Sequence, residues 1–492
     1  MPKEPLFSFV VPVYKKSPEI FEQCLASLMD QSLKEIEVIC VFDGEDKELE
    51  EVAKRFKKVD CYTIEHGGAP KARNYGTSKA KGKYVVAWDC DTVAKPEMAS
   101  RWLQEFEATG ADFVYSGYEF SQDRGGYPSE QFDAHSLTCG NYISTMFPIK
   151  REKAPKWDES LKAAQDWDFW LTAVENGCRG SYIEGAGWIT EPSTGGSISY
   201  DGWSPEKRDE TIRIVKEKHG IPDRQIAVGS YRHFFKALHL AKMLDGDILK
   251  NRGEDLSKYK LILSLGMGDY FRFYGAGSDC IKIQYWMPWD IDCLYAIAHK
   301  TARQTIALAN TSVTYNFCNE ITSKKRLEDL GIKADILPLP TEVDGLEESL
   351  PEKFKVLIDC DKAYRPIVAD LPRALPHLQI DFVDTMGNVA SIPEYSLLIS
   401  FYENPGVDES IRRFLLHGRN IISNVQAPFC GYIDMTLKHV DFKNEMINRI
   451  IDAKNLPFNK KGQDYYRNLV DPKKFIAKLG SLLPNTKLEV LA

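Results

Sequence analysis

Hydrophobic and polar positions follow two different periods over the first 120 residues of the chain. Continuous apolar runs of strand length, such as 7–14 and 36–42, alternate with stretches in which apolar residues recur every three or four positions. A continuous run is typical of a strand buried on both faces, and the longer period is typical of an amphipathic helix. Their alternation predicts a mostly parallel, doubly wound sheet. The predicted strands are 7–14, 36–42, 61–64, 84–88 and 112–120, and the predicted helices lie at 20–28, 49–56, 69–80 and 98–106.

The same alternation restarts after residue 224. A helix that ends at Gly220 with Pro222 just beyond, and an acidic loop at 341–352, are typical unit boundaries. We therefore expect three αβ units, at 1–221, 222–345 and 346–492, the last with a helical tail. The predicted strands of the second and third units are 226–230, 261–265, 281–286, 313–317, 336–339, 355–358, 380–383, 397–401 and 420–423.

The composition is that of an ordered protein with several domains. Of 492 residues, 43% are hydrophobic and 27% are charged, which excludes a disordered chain. A net charge of −8 argues against a globally basic nucleic-acid binder. Apolar runs stay well below the ~18 residues of a membrane-spanning helix, so no transmembrane segment is expected. Eleven cysteines without a C-x2-C pair predict reduced thiols, a cytoplasmic location and no zinc site.

Two carboxylates follow the predicted strand at 84–88. Asp89 and Asp91 are separated by one residue, and such a pair suits a hard divalent cation that also binds substrate phosphates. A diphosphate leaving group needs this neutralisation as its negative charge develops. Asp43 also comes directly after a strand, and ligands of doubly wound sheets bind beyond the carboxyl ends of the strands. The alternative interpretation of the pair is two solvated aspartates in a turn.

Six motifs follow one another between residues 9 and 170. They are the strand and Pro-x-Tyr turn at 9–14, Ser27-Leu28 with Gln31, the strand at 36–42 with Asp43-Gly44, Gly68 with Ala72-Arg73-Asn74 and Gly76, Ala80-x-Gly82-x-Tyr84 leading to Asp89 and Asp91, and the helix start at 165–170. In order and spacing these motifs resemble those of the family 2 glycosyltransferases, which have the GT-A fold. The resemblance implies a nucleotide-sugar-binding domain over residues 1–220.

The resemblance implies a role for each matching residue on the donor side. Pro12, Tyr14 and Asp43 would surround the nucleotide base, and Asp43 would accept the N3–H of a uracil, so a UDP-linked sugar is favoured. Arg73 would face the diphosphate or shape its pocket. The alternatives are an Asp-Gly turn former at Asp43 and a helix-surface cation at Arg73.

The resemblance also implies a metal site and a general base. Asp91 would ligate Mn²⁺ or Mg²⁺, and Asp89 would contact the metal or the ribose. Asp166 would deprotonate the acceptor hydroxyl as it attacks the anomeric carbon, which gives inversion. The alternative for Asp166, and more so for Asp168, is an acid favoured by the helix dipole in a first helical turn.

The chain departs from the family pattern at several positions. Phe42 replaces the first aspartate of the usual Asp-Asp-Gly turn, Lys15 replaces an asparagine, and Gln165 replaces a glutamate. The stretch 190–197 lacks the histidine that the family uses as a further metal ligand.

Residues 222–492 resemble, more weakly, the two Rossmann-like halves of the GT-B glycosyltransferases. The resemblance rests on Gly266-Met267-Gly268 after a strand, on 334–340, and on the helix and strand at 409–424. Arg413 stands where an acidic residue is expected. A second transferase and a degenerate or acceptor-binding module remain equal alternatives for this region.

The leading hypothesis is therefore a metal-dependent inverting glycosyltransferase with an unidentified acceptor hydroxyl, on a glycan, a lipid-linked sugar, a protein or a modified nucleic acid. One alternative is a bifunctional enzyme with a second active site in the GT-B-like region. Another is a non-catalytic glycan- or nucleotide-binding protein on a decayed scaffold. A nucleic-acid-base glycosyltransferase of the viral type is a narrower variant. The sequence predicts no particular oligomeric state.

Overall fold

The computed structural model describes residues 4–120, 126–127, 129–190, 205–230, 233–250, 255–267, 273, 275–296, 299–340, 346, 348–360, 364–383, 392–401, 409–424, 428–433 and 439–482. The chain divides into two compact units, Met1–Asp223 and Arg224–Ala492, called here the N-terminal and the C-terminal unit.

The described part of the N-terminal unit forms a nine-stranded sheet of order β3-β2-β1-β4-β8-β6-β9-β5, with β7 paired to β6. The strands are β1 (Phe7–Val13), β2 (Ile36–Asp43), β3 (Val59–Ile64), β4 (Tyr84–Ala87), β5 (Thr92–Ala94), β6 (Phe113–Phe120), β7 (Gly126–Tyr127), β8 (Pro148–Lys150) and β9 (Gly180–Thr190). The helices are α1 (Pro18–Met29), α2 (Lys47–Lys54), α3 (Ala69–Lys79), α4 (Met98–Thr109), α5 (Ala134–Cys139), α6 (Gln165–Glu175) and α7 (Pro205–Lys218).

The continuous apolar runs form the centre of this sheet, as predicted. Strand β1 pairs in parallel with β2 on one side and with β4 on the other, and β2 pairs in parallel with β3. Strand order therefore reverses at β1, and a parallel sheet opens a crevice beyond the carboxyl ends of its strands at such a point. The residues that follow β1, β2 and β4 meet at this edge, which is where the candidate site lies.

Beyond β4 the sheet acquires antiparallel strands that the sequence pattern did not predict. Strand β8 pairs antiparallel with β4 and β6, and β5 pairs antiparallel with β9. These additions are only two or three residues long at β5, β7 and β8, which is too short to display a period. Three glycines interrupt the pattern of β9. One of them, Gly187, packs so closely that an added Cβ would lie 3.2 Å from Ser116 Oγ.

The C-terminal unit contains, in its described residues, two parallel sheets of order β11-β10-β12-β13-β14-β15 and β17-β16-β18-β19-β20. The strands are β10 (Ile226–Gly229), β11 (Asp247–Leu249), β12 (Leu261–Leu265), β13 (Ile281–Trp286), β14 (Tyr315–Cys318), β15 (Asp335–Ile336), β16 (Lys355–Cys360), β17 (Gln379–Phe382), β18 (Leu397–Phe401), β19 (Asn420–Ser423) and β20 (Gly431–Tyr432). The helices are α8 (Phe234–Met243), α9 (Pro288–Ala296), α10 (His299–Thr311), α11 (Ile321–Asp329), α12 (Arg365–Val368), α13 (Leu371–Ala374), α14 (Glu409–Leu416), α15 (His439–Ala453), α16 (Lys460–Leu469) and α17 (Pro472–Gly480).

The predicted mixed α/β class with mainly parallel sheets is confirmed in both units. A closer likeness of the C-terminal unit to GT-B halves stays a prediction, as does the division into three units. None of the eleven cysteines, all of which the structure describes, forms a disulfide. Within the described ranges, no helix is both long enough and apolar enough to span a lipid bilayer.

Candidate functional site

Asp43 ends β2 and organises the loop that leads into α3. Its carboxylate is buried; Oδ1 accepts the backbone N–H of Gly67 at 2.7 Å, and Oδ2 accepts that of Gly68 at 2.9 Å. Gly68 has φ +92°, a conformation that side-chain-bearing residues rarely adopt, which explains the glycine at the start of the helix. Asp43 is thus a fixed acceptor at a strand end.

Tyr14 and His66 form an aromatic pair beside Asp43. Their rings are stacked with centroids 4.6 Å apart and an interplanar angle of 16°, and His66 Nδ1 lies 2.9 Å from Asp43 Oδ2. Tyr14 is 44% exposed, so the pair presents a flat surface to solvent. His66 was not predicted as a site residue, because nothing local in the sequence marks it as a neighbour of Tyr14.

Pro12 supports this region through the backbone of β1. It aligns with Val41 of β2, two residues beyond Val10, the last residue of β1 that pairs with β4. Proline has no backbone N–H to donate. Because Pro12 lies beyond the residues of β1 that pair with β4, the β1–β4 pairing loses no hydrogen bond.

Arg73 joins three parts of the site. Its side chain is only 9% exposed, Nη1 donates to Gln165 Oε1 at 3.1 Å, and Nη2 donates to Asp89 Oδ1 at 3.2 Å. The guanidinium also lies over the Trp157 ring, 4.7 Å from its centroid. The alternative interpretation of Arg73 as a helix-surface cation is therefore wrong.

The neighbours of Arg73 explain the rest of its sequence motif. Asn74 holds Trp157 in place, because its Oδ1 accepts the Trp157 N–H and its Nδ2 donates to the Trp157 carbonyl, both at 2.9 Å. Gly76 faces β1 so closely that an added Cβ would lie 2.3 Å from Val10 Cγ1. The motif thus holds α3 against the sheet and fixes the ring beneath Arg73.

Both aspartates of the D-x-D sequence are paired with cations of the chain. Asp89 pairs with Arg73, and Asp91 Oδ2 lies 2.7 Å from Lys16 Nζ. Partial burial is the largest influence on the pKa of Asp89 and raises it. The positive charge of Arg73 lowers this pKa, and the negative charge of the neighbouring Asp91 raises it, so the pKa is raised in total. The Asp89 and Asp91 side chains are 39% and 38% exposed, so both carboxylates of the pair are accessible from solvent. The pairing of Asp91 with Lys16 was not expected from the sequence.

Asp166 is the second residue of α6, next to the residue that binds Arg73. Its Oδ2 accepts Asn141 Nδ2 at 2.8 Å, and its Oδ1 accepts the Trp167 backbone N–H at 3.0 Å. Burial raises the pKa of Asp166, while the Trp167 hydrogen bond and Arg73 lower it by less. A carboxylate with a raised pKa is a stronger base than an ordinary one.

Asp168 has different partners and a structural role. It is buried, and its Oδ1 lies 2.9 Å from His219 Nε2 and 2.7 Å from Lys218 Nζ. These contacts tie the end of α7 to α6. Asp168 therefore helps to anchor the helix that carries Asp166.

The donor set around Asp89 and Asp91 fits a divalent cation held in part by substrate. Mg²⁺ and related ions are commonly bound by one or two carboxylates together with substrate phosphates. Asp91 already binds a cationic group, the Lys16 ammonium. Among the side chains that the structure describes, no group of three or more His, Cys, Asp and Glu residues is arranged to hold a metal alone. The departure noted at 191–197 lies outside the described residues.

Comparison with known proteins agrees with this geometry. Residues 8–161 match the family model described as glycosyl transferase family 2, so the N-terminal unit contains a family 2 glycosyltransferase domain. The uncharacterized glycosyltransferase EpsJ of Bacillus subtilis is 37% identical over 193 residues, which cover 34% of this chain and 56% of that relative. An uncharacterized glycosyltransferase of Methanocaldococcus jannaschii is 26% identical over 201 residues, covering 37% of this chain and 69% of the relative. The chain thus spans about half the length of its EpsJ relative.

Two solved structures are similar over part of the chain. S. aureus TarS 1-349 in complex with UDP-GlcNAc has 23% sequence identity and a TM-score of 0.38, covering 43% of this chain and 66% of TarS 1-349. The mannosyltransferase PcManGT from Pyrobaculum calidifontis, in complex with GDP-Man and Mn²⁺, has 14% identity and a TM-score of 0.33, covering 45% and 71% of the two chains.

Proposed function

We propose that the N-terminal unit transfers a sugar, with inversion, from a nucleotide-sugar donor to an acceptor hydroxyl. The observation that carries this proposal is the position of Arg73. Its guanidinium links Asp89, which follows β4, to Gln165, which precedes Asp166. The candidate diphosphate-binding residues and the candidate base therefore share one edge of the sheet.

The nucleotide base would bind between the aromatic pair and Asp43. A planar base stacks favourably on an aromatic ring, and Tyr14 over His66 offers such a surface. Asp43 Oδ1 accepts one backbone N–H and retains a second lone pair, whereas Oδ2 has both the Gly68 N–H and His66 Nδ1 within hydrogen-bond distance. That lone pair suits the N3–H of uracil, so we favour a UDP-linked donor.

Asp91 and Asp89 would hold a divalent cation, Mn²⁺ or Mg²⁺. When bound, such an ion supplies positive charge to the diphosphate leaving group. Arg73 would add its own charge at the same place, since it is buried and held by Asp89, Gln165 and the Trp157 ring. A cation fixed before the reaction stabilises developing negative charge without further reorganisation.

Asp166 would act as the general base. The acceptor oxygen attacks the anomeric carbon, the bond from that carbon to the diphosphate oxygen breaks, and the hydroxyl proton passes to Asp166. A single displacement of this kind inverts the anomeric configuration. Asn141, which donates to Asp166 Oδ2, would hold the carboxylate in one orientation during the transfer.

A specific observation favours a second candidate, an additional site in the C-terminal unit. In each of its sheets the strand order reverses, at β10 and at β16, and ligands of parallel sheets bind at such points. Asp359, near the carboxyl end of β16, accepts a hydrogen bond from Ser410 Oγ of α14. A bifunctional transferase would bind a second donor at the sheet edge beyond the carboxyl end of β16.

The proposed function is tested by nucleotide release from a panel of nucleotide sugars with Mn²⁺. We expect one donor to be hydrolysed slowly by the full chain and this release to be lost with Asp91→Ala or with a chelator. Asp60→Ala removes an exposed aspartate of β3 and is the matched control. Donor binding without turnover under all conditions, with acceptors supplied, would favour the non-catalytic alternative, and no binding of any nucleotide would refute the proposal.

The same assay separates the two candidate sites. A donor that is still hydrolysed by Asp91→Ala and by Asp166→Asn, but not by Asp359→Asn, would indicate a second active site in the C-terminal unit. Loss of all release in Asp91→Ala would leave the N-terminal unit as the source of the activity.

A further inference from the structure

The free protein carries a cation of its own at the D-x-D carboxylates. The chain bends at Lys15, whose φ is +44°, and the next residue, Lys16, brings Nζ to 2.7 Å from Asp91 Oδ2. The Lys16 side chain is 35% exposed and that of Asp91 38%. The ion pair joins the segments after β1 and β4, at the point where strand order reverses.

We propose that Lys16 is a donor-binding residue that changes partner during substrate binding. In the free protein it neutralises Asp91. When a divalent cation takes Asp91, the Lys16 ammonium moves to the diphosphate of the bound nucleotide sugar. This inference rests on the proposed function, because it assumes that the site binds a nucleoside diphosphate together with a metal ion.

Charge balance supports the exchange. Asp89 and Asp91 contribute two negative charges, and Arg73 and Lys16 contribute two positive charges, so the group is neutral before substrate binds. A nucleotide-sugar diphosphate carries two negative charges and its divalent cation two positive ones, so these four side chains together with the bound diphosphate and cation are neutral again. Without Lys16 the occupied site would hold one uncompensated negative charge, next to a diphosphate that is itself anionic.

The two cations of the site differ in their freedom to move. Arg73 is 9% exposed and is held by two hydrogen bonds and by the Trp157 ring, so it is preorganised. Lys16 donates to Asp91 from the end of a flexible four-carbon stem. The Lys16–Asp91 pair is only partly buried, and ion pairs in contact with water contribute little to stability, so leaving Asp91 costs Lys16 little. Lys16 is therefore suited to exchange and Arg73 to permanent binding.

The competition between Lys16 and the metal gives the proposal a readout that does not need catalysis. In the free protein the ammonium and a divalent cation compete for the same Asp91 oxygen. Removing Lys16 should therefore strengthen Mn²⁺ binding to the protein alone and weaken binding of the nucleotide. A residue that only stabilised the loop would not move these two affinities in opposite directions.

The test compares the full-length wild type with Lys16→Met and with Lys16→Arg. Lys58→Met, which removes an exposed lysine after α2, is the control for the change in net charge. Mn²⁺ binding without nucleotide is measured from the electron paramagnetic resonance signal of the free ion. Calorimetry then gives the affinity of the nucleoside diphosphate that wild type binds most tightly among UDP, GDP, CDP and dTDP, with Mn²⁺ and with a chelator.

We expect Lys16→Met to bind Mn²⁺ alone about fivefold more tightly, the effect of removing one exposed charge. We expect it to bind the nucleotide at least about tenfold more weakly, with Mn²⁺ and with chelator, since one charge-assisted contact is lost. Lys16→Arg should restore most of the nucleotide affinity, and Lys58→Met should match wild type. Unchanged nucleotide affinity in Lys16→Met, in a wild type that does bind, would overturn this inference alone. Failure of wild type to bind any of the four nucleotides would overturn the proposed function and this inference with it.

Discussion

The guanidinium of Arg73 lies 4.7 Å from the centroid of the Trp157 ring, although Trp157 lies outside the sequence motif that contains Arg73. The aromatic face shields one side of the guanidinium, and a ring stacked on an arginine also attracts its charge. Two donors of Arg73 are used in the site: Nη1 donates to Gln165 and Nη2 donates to Asp89. The contact explains how a buried arginine can serve as a fixed hub of the site.

Replacing Arg73 with lysine tests this hub. Lysine keeps the charge but loses the planar fork, so it cannot bridge Asp89 and Gln165 while stacking on Trp157. We expect kcat/KM for donor turnover to fall roughly 100-fold, the effect of losing about two charge-assisted hydrogen bonds. Arg55→Lys, in an exposed pair with Glu22, is the matched control and should behave as wild type. Full activity in Arg73→Lys would contradict the assigned role.

The close packing of α3 on the sheet is tested at Gly76. Gly76→Ala would bring its Cβ to 2.3 Å from Val10 Cγ1, so helix and strand must separate. We expect a loss of about 1–3 kcal/mol in the free energy of unfolding of the N-terminal unit, measured by denaturant titration. Gly140→Ala is the control, because an added Cβ there would meet nothing within 4 Å. Equal stability of the two variants would show that the helix is not constrained at Gly76.

The raised pKa of Asp166 predicts a pH dependence with a definite sign. Transfer activity needs the carboxylate form, so kcat should fall as the pH is lowered through the raised pKa of Asp166. The pH–rate profile with the identified donor measures this acid limb. Residual activity in Asp166→Asn should be low and should lack the limb. An unchanged acid limb in the variant would assign it to another group.

The raised pKa of Asp166 also predicts that stability falls as the pH rises, whereas activity rises with pH. Because the pKa of Asp166 is higher in the folded than in the unfolded protein, the folded state binds more protons between the two values. Ionisation therefore lowers stability as the pH rises through this window. Asp166→Asn, which stays neutral and can still accept from Asn141, should be at least as stable as wild type at pH 7, measured by thermal unfolding.

Asp112 predicts acid sensitivity through a lowered pKa. Burial opposes ionisation, but hydrogen bonds from Lys150, Lys153 and the Arg179 backbone outweigh it and lower the pKa of Asp112 to about 2. The unfolded state has the higher pKa, so this stabilisation is complete above about pH 4 and is lost as the pH falls toward 2. Asp112→Asn should lose about 2 kcal/mol of unfolding free energy at pH 7 and should flatten the acid limb of the stability curve. Equal sensitivity of variant and wild type to acid would show that Asp112 is not the group responsible.

Much of the fold follows from patterns that are local in the chain. Strands β1, β12 and β18 lie where continuous apolar runs predict them, because a strand that is buried on both faces has apolar residues at consecutive positions. Strands that are too short to display a period were not predicted. Strands β5, β7 and β8 have two or three residues and form only because longer neighbours offer an edge to pair with.

For the candidate site, the same distinction separates the identity of the residues from the contacts that they make. The sequence alone determined which residues are candidates for the chemistry: the carboxylates Asp43, Asp89, Asp91 and Asp166 follow strands or begin a helix, and the motif around Arg73 is continuous. Only the tertiary structure decided their partners. Lys16 meets Asp91 across 75 residues, and Arg73 meets Gln165 across 92. Such contacts depend on which strands become neighbours in the sheet, and that order is decided by packing between distant segments rather than by the residues beside each side chain.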